Sequence, residues 1–291
     1  MATTLILKLL IALLLISIPV FTLRLLTVLP HRRPRPKPRQ RGSPTHLMIV
    51  LGSGGHTAEM LAMLRNAVKG RDNPTSSSSD QTRDSSDGAT SKSNSTAALR
   101  LDWRDYTHRT WVVSSGDAFS AIRAKEFEEE MESFYSTSTS SKASGERTGN
   151  GKGKEKIVGS YDIRTVPRAR KIHQPLLTTP ISSLQCLGAC LNLLTSSTPT
   201  SKRSPSPCCP NLVLANGPAT AAILVFATVL MRFFGFGDSG GMRTVYVESW
   251  ARVKKLSLSG RLLALVVDRV LVQWEDLEGY AGRAEFLGVL V

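Results

Sequence analysis

The stretch Leu47–Leu61, LMIVLGSGGHTAEML, decides the fold. A short apolar run stops at Gly52-Ser53-Gly54-Gly55, and His56-Thr57-Ala58-Glu59 then opens a helical pattern. Strand, glycine turn and helix in that order begin a β-α unit whose turn can hold a ligand. Glycine carries no Cβ, so the backbone here bends tightly and approaches that ligand closely. The N-terminus of the next helix offers free N–H groups and a partial positive charge, which suit a phosphate. Glu59 stands where it can help cap the first turn.

The two common nucleotide fingerprints both fail at this turn. A dinucleotide turn needs a third glycine three positions after the second, and Thr57 stands there. A P-loop ends in Gly-Lys-Ser/Thr, whereas this turn ends in Gly55-His56-Thr57. The motif therefore specifies a phosphate or pyrophosphate near a helix N-terminus, with Gly52, Ser53, Gly54, Gly55 and Thr57 as binding residues. His56 is a candidate general base or donor to a pyrophosphate. A histidine that only fixes the turn by hydrogen bonds satisfies the motif equally.

The same rhythm repeats downstream. Strand-like runs lie at 46–52, 109–115, 161–168, 211–217, 243–249 and 268–275, with helical patterns near 56–69, 117–133, 179–194, 218–234 and 257–267. Strands alternating with helices imply an α/β fold with a parallel sheet covered on both faces. Ligands of such a Rossmann-like domain bind at the carboxyl ends of the strands, where strand order reverses. Two more segments reach that edge. In ANGPAT, Asn216 and Gly217 suit a turn and Pro218 a first helical position. In VESWARVKKLSLSGRLL, Glu248 ends a strand, and Arg252 begins a basic cluster with Lys254 and Lys255. We place Glu248 and Arg252 at the cleft or a partner edge.

The chain has 291 residues, with 37 Lys plus Arg against 23 Asp plus Glu, a formal charge of +14. That excess implies an acidic partner. Its densest block, HRRPRPKPRQR at 31–41, directly follows an apolar N-terminus, so a membrane surface fits it best. Nucleic acid does not, because no aromatic residue is interleaved for base stacking and the prolines forbid a recognition helix. Residues 1–30 read as an uncleaved transmembrane anchor: the apolar run suffices to cross a bilayer, and Arg24-Leu25-Leu26 stands where a cleavage site would lie. Residues 31–43 are a basic juxtamembrane linker that puts the body, residues 44–291, in the cytoplasm. The four cysteines lack zinc-knuckle spacing and no nearby histidine joins them, so no metal is expected. No cofactor is expected either. Segments near 70–99, 136–158 and 195–210 are rich in Ser, Thr, Gly, Pro and Lys and read as disordered insertions. The helix near 219–236 is apolar almost all round, too short for easy spanning, and reads as buried or resting on a membrane surface.

The anchor with its basic stretch, GSGGHTAEML, NGP, YVESWARVKKLSLSGRLL and VLVQWEDL together resemble the asparagine-linked glycosylation protein 14 family. The resemblance covers the anchor and nearly all the core and skips the Ser-rich segments. It implies a single Rossmann-like domain, the N-terminal lobe of a GT-B glycosyltransferase. This lobe would be the membrane-anchoring, acceptor-binding subunit of a UDP-N-acetylglucosamine transferase. Its partner would be a soluble catalytic subunit of the asparagine-linked glycosylation protein 13 family, which binds UDP-N-acetylglucosamine. The acceptor would be N-acetylglucosaminyl-pyrophosphoryl-dolichol, on the cytosolic face of the endoplasmic reticulum and nuclear envelope. The glycine turn and His56 would then face the acceptor pyrophosphate or the cleft. By similarity the tail AEFLGVLV helps bind the partner. Two rivals are a self-sufficient membrane glycosyltransferase using His56 and a scaffold with a vestigial site. One position departs from the family: Ala219 stands where Gly-Pro-Gly-Thr is usual, and alanine closes backbone conformations that glycine allows.

Overall fold

Each apolar run becomes a parallel strand: β1 (His46–Val50), β2 (His108–Ser114), β3 (Ser160–Val166), β4 (Leu212–Asn216), β5 (Arg243–Val247) and β6 (Arg269–Val272). A seventh strand, β7 (Ala284–Phe286), was not foreseen from the sequence and extends the sheet beside β6. The computed structural model describes residues 2–30, 33, 43–72, 101–140, 158–170, 174–196, 209–217, 219–236 and 241–291. The insertions expected near 70–99, 136–158 and 195–210 lie mostly outside these residues. Two helices, α2 (Gly55–Asp72) and α3 (Ala118–Ser140), run a few residues into the first and second of these insertions.

The strand order is β3-β2-β1-β4-β5-β6-β7, and every pair is parallel. The chain winds outward from β1 to β3, then returns to lay β4 on the other side of β1. Strand order thus reverses between β1 and β4, which opens a crevice at their carboxyl ends. Both faces of the sheet are covered. All five residues of β1 and all seven of β2 are buried, as a doubly covered parallel strand requires.

Successive residues of β1 feed opposite layers. Leu47 and Ile49 join Met60, Leu64, Phe127 and Met131 under α2 and α3. Met48 and Val50 join Cys186, Cys190, Leu224 and Leu263 under α4 (Thr179–Thr195), α5 (Thr220–Phe233) and α6 (Leu258–Leu263). Cys186 and Cys190 are free and buried in that core. In the other layer Glu128 of α3 receives Arg109 (2.9 Å) and both indole N–H groups, from Trp103 (3.2 Å) and Trp111 (2.7 Å). A buried carboxylate is tolerable only when paired in this way.

At the N-terminus α1 (Ala2–Val28) is long and apolar enough to cross a membrane. Its last turns dock on α5. The Phe21 and Phe233 rings lie 4.7 Å apart, and Arg24 donates to the carbonyls of Phe233 (2.8 Å) and Arg232 (2.9 Å). Those carbonyls end α5, where a cation also meets the negative end of the helix dipole. Arg33 reaches further. Its Nη1 donates to both oxygens of Asp268 (2.7 and 2.8 Å) and its Nη2 to the Gly241 carbonyl (2.8 Å). The basic block was expected to face lipid head groups, but this member of it is buried against the domain.

Candidate functional site

The glycine turn lies where the fold puts a ligand, at the carboxyl end of β1 beside the end of β4. Ser53, Gly54 and Gly55 are exposed, and a Cβ on Gly54 or Gly55 would meet nothing. Above the turn is therefore open space that a ligand can fill. Gly54 has φ +63, a left-handed conformation that favours glycine and reverses the chain into α2. The N–H groups of Thr57 and Ala58 donate to the Gly54 carbonyl (3.1 and 3.4 Å), so Gly55 and His56 carry the free N–H groups expected at a helix start.

The strand end from β4 packs directly on the turn. Gly217 has φ +94, and a Cβ there would lie 3.1 Å from Gly52 Cα and 3.3 Å from His56 Cγ. Only a bare backbone fits between them. Asn216, almost fully buried, donates to Glu59 (3.4 Å). The turn, His56, Asn216 and Gly217 thus form one constellation, as the sequence suggested.

Glu59 is the residue that sequence reasoning undervalued. It does more than sit in the first turn of α2. One carboxylate oxygen accepts from Ser249 Oγ (2.8 Å), and the other takes the Asn216 amide and lies 3.6 Å from His56 Nδ1. The carboxylate thereby ties α2, the end of β4 and the loop after β5 together, and it flanks the imidazole. His56 Nδ1 is buried and has no hydrogen-bond partner among the described residues, while the side chain remains 30% exposed. At 3.6 Å the Glu59 carboxylate is an electrostatic neighbour of the imidazole and not its hydrogen-bond partner.

Two residues, Thr57 and Glu248, take other positions than the sequence suggested. Thr57 is fully buried: its hydroxyl meets the Gly52 carbonyl and lies 2.6 Å from Ser120 Oγ, which donates to Asp117 (2.7 Å). Thr57 therefore locks the turn from below instead of offering its hydroxyl to a ligand. Glu248, 2% exposed, turns inward and accepts from Ser257 N–H and Oγ (both 3.0 Å). It braces the start of α6, and Gly260 is required there because a Cβ would come 2.0 Å from its oxygen. Arg252 is exposed on the loop between them. Gln273, buried after β6, donates to the Glu248 carbonyl (3.2 Å) and completes this edge. Nothing in the sequence marked Ser249 or Gln273, because their partners are brought in by other strands. Among the described residues no His/Cys/Asp/Glu group could hold a metal ion.

An open doubly wound sheet with a glycine turn and a helix N-terminus at its switch point defines a Rossmann-like α/β domain. The family described as "Oligosaccharide biosynthesis protein Alg14 like" matches residues 47–102 and 95–290, and the chain belongs to it. It is 40% identical over 231 residues to the UDP-N-acetylglucosamine transferase subunit alg14 of Aspergillus fumigatus, covering 66% of this chain and 96% of the relative. Proteins of the same description from Debaryomyces hansenii and Schizosaccharomyces pombe are 30% and 31% identical, over 86% and 84% of this chain and 78% and 83% of theirs.

Proposed function

We propose that this chain is the membrane-anchoring, acceptor-binding subunit of a UDP-N-acetylglucosamine transferase. It recruits a soluble catalytic subunit, of the asparagine-linked glycosylation protein 13 family, to the cytosolic face of the endoplasmic reticulum. There the complex adds the second sugar, in β-1,4 linkage, to N-acetylglucosaminyl-pyrophosphoryl-dolichol for protein N-glycosylation. One observation carries the reading: relatives alike over most of their length are named as transferase subunits, and this chain folds a single lobe whose site stands open. A two-lobed transferase closes its site between two such domains. The second lobe, and with it most of the UDP-N-acetylglucosamine contacts, would come from the partner.

The site residues divide the work. Gly52, Ser53, Gly54, Gly55 and the first N–H groups of α2 receive the acceptor pyrophosphate, with Asn216 and Gly217 as the far wall. The acceptor hydroxyl attacks the anomeric carbon, UDP leaves, and the hydroxyl proton needs a base. His56 Nε2 takes that proton or donates to the pyrophosphate. Arg252 belongs to the edge where the partner closes, and Glu248 braces that edge from within. The apolar helix α1 supports anchoring, and Asn94-Ser95-Thr96, outside the described residues, reports orientation: in a cytosolic body Asn94 stays without glycan.

The test is sugar transfer in membranes carrying this chain, with and without the soluble partner. Activity that needs both proteins supports the reading, and activity of the chain alone overturns it. In the assembled complex His56→Ala lowers kcat by about 10²-fold or more, the usual weight of acid–base or charge-stabilising groups. Unchanged kcat would make the site vestigial.

A further inference from the structure

The helix α4, TPISSLQCLGACLNLLT, carries no charged residue along its 17 positions. Its inner side is buried through Ser182, Cys186, Cys190 and Leu194. Its outer side mixes exposed apolar residues, Ile181 (62%), Leu184 (67%) and Leu177 just before the helix (92%), with the uncharged Gln185, Asn192 and Thr195. Neighbouring α5 has one charge, Arg232, and that one is buried, while Phe226 faces outward. On α6, Leu258 and Leu262 are exposed, followed by Leu265. A solvated helix normally carries charge on its outer face. Scattered exposed leucines need no explanation, but an apolar row across three adjacent helices of one layer marks a contact surface.

The opposite layer supplies the control within the same molecule. There α3 exposes Phe119 and Ile122 in its first turns, but Lys125, Glu126, Glu129 and Glu132 beyond them make an ordinary solvated face. Not one carboxylate lies on α4, α5 or α6. The exposed charges around the starts of α4 and α6, Arg170, Arg252, Lys254, Lys255 and Arg261, are cationic, while Glu275, Asp276 and Glu278 after β6 form an acidic corner of the layer. Apolar side chains edged by cations match the interface of a bilayer carrying anionic lipid. The layer is also continuous with the candidate span. Phe21 and Arg24 of α1 dock on α5, and an apolar groove of about 540 Å³, lined by Ile18, Val20, Phe21 and Phe233, lies between them.

We propose that the α4–α5–α6 layer is a membrane-docking face, occupied by the lipid leaflet that α1 enters. The proposal rests on α1 spanning the membrane and goes beyond it: the domain lies on the bilayer along one helical layer instead of swinging from a tether. Its acidic α3 layer then faces water. The carboxyl edge of the sheet, where α4 and α6 begin, comes to head-group level, so a lipid-borne pyrophosphate meets the glycine turn without leaving the membrane.

The test uses the full chain with Cys208 and Cys209 replaced by serine, since Cys186 and Cys190 are buried from label. It is reconstituted in phosphatidylcholine–phosphatidylserine vesicles with an environment-sensitive fluorophore on one introduced cysteine at a time. The positions are Leu184→Cys on α4, Glu129→Cys on α3 and Leu14→Cys on α1, all exposed, so the fold tolerates the label. The proposal expects the Leu184 and Leu14 probes to be blue-shifted and quenched several-fold more by a nitroxide-bearing lipid than the Glu129 probe. A Leu184 probe that behaves like the one at Glu129 while the Leu14 probe is quenched overturns the docking face and leaves the anchor standing. A Leu14 probe that is not quenched overturns both. A Leu184 probe that is blue-shifted yet insensitive to the lipid nitroxide means that a second copy covers the face, which also overturns the proposal.

Discussion

Glu59 takes hydrogen bonds from Ser249 and Asn216, residues 190 and 157 positions away in the chain, and lies beside His56. Glu59→Gln keeps the shape and an acceptor for Ser249 but removes the charge facing His56 Nδ1. We expect kcat of the assembled transferase to fall about tenfold, part of the full acid–base contribution, with the melting temperature nearly unchanged. A carboxylate that only braces the fold would give the opposite pair: a lower melting temperature and a normal kcat for the folded fraction. The glycines and His56 were legible because adjacent residues make their motif. Glu59's role was not, because the sheet, and not the sequence, brings its partners in. Ala219 is a second residue-scale case. The sequence marked it as alanine in a glycine position, and the structure gives it φ 46, ψ −76, a conformation costly for any residue with a Cβ. Ala219→Gly should therefore raise unfolding free energy by about 1 kcal/mol. A urea titration in detergent checks this, and an unmoved midpoint would refute the strain.

At the scale of elements, the amino ends of β1, β2 and β3 hold two histidines in the sheet. His46 and His108 rings lie 5.0 Å apart, and Thr110 links His46 (2.9 Å) to Asp162 (2.7 Å). Since the Thr110 hydroxyl donates to Asp162, His46 Nε2 donates to Thr110, and its buried Nδ1 has no partner among the described residues. Burial, and then the neighbouring His108, push the His46 pKa down from 6.5 to about 4, against the pull of Asp162. The depressed value means that the unfolded chain binds a proton more readily than the native one. The stabilising difference is complete above 6.5 and is lost as pH falls from 6.5 to about 4, an order of 3 kcal/mol. Burial pulls Asp162 upward, but hydrogen bonds from His108, Thr110 and Arg164 outweigh it and hold this carboxyl below the usual range. Its loss therefore falls in a lower window. Denaturation midpoints across that pH range should slope upward in the wild type and flatten in His46→Gln; parallel slopes would exclude His46 as the source. The histidine pair also shows what was readable in these elements. Six strands were visible as β-branched apolar runs of adequate length. The strand β7 was not, since AEF offers three residues and no alternation, and only pairing with β6 defines it. The tail AEFLGVLV, expected by similarity to help bind the partner, begins with this strand, and its Leu290 is buried in the α2–α3 layer with its carbonyl accepting from Asn66 (3.2 Å). Val289 and Val291 are its exposed apolar side chains.

For the whole molecule, the question is how the apolar helix and the domain are joined, and Asp268 is the joint. It lies just before β6 and receives Arg33 (2.7 Å), Arg243 (3.0 Å) and the Thr244 N–H (2.9 Å), with Arg232 at 3.6 Å. Three guanidiniums thus converge on one carboxylate. Burial, then the neighbouring Arg33, push the Arg232 pKa down to about 10, so the cluster is short of negative charge. Removing the carboxylate strands buried cations, and Asp268→Asn should cost about 3 kcal/mol or more. Removing Arg33 is different. Asp268 keeps Arg243 and Thr244, so Arg33→Met costs little global stability, but it deletes three hydrogen bonds that hold residues just after α1 to the domain. We expect limited proteolysis within residues 31–43 to speed up several-fold in Arg33→Met vesicles while the unfolding midpoint stays near wild type. In Asp268→Asn both the midpoint and the linker protection should fall. If Arg33→Met is cleaved no faster, the linker is held by something other than this pair. If it unfolds as readily as Asp268→Asn, Arg33 belongs to the core of the domain and is no latch. The sequence offered no means of choosing between these outcomes. One arginine among several in a proline-rich block becomes distinctive only when the end of α1 is laid against α5 and brings it to a carboxylate 235 residues away.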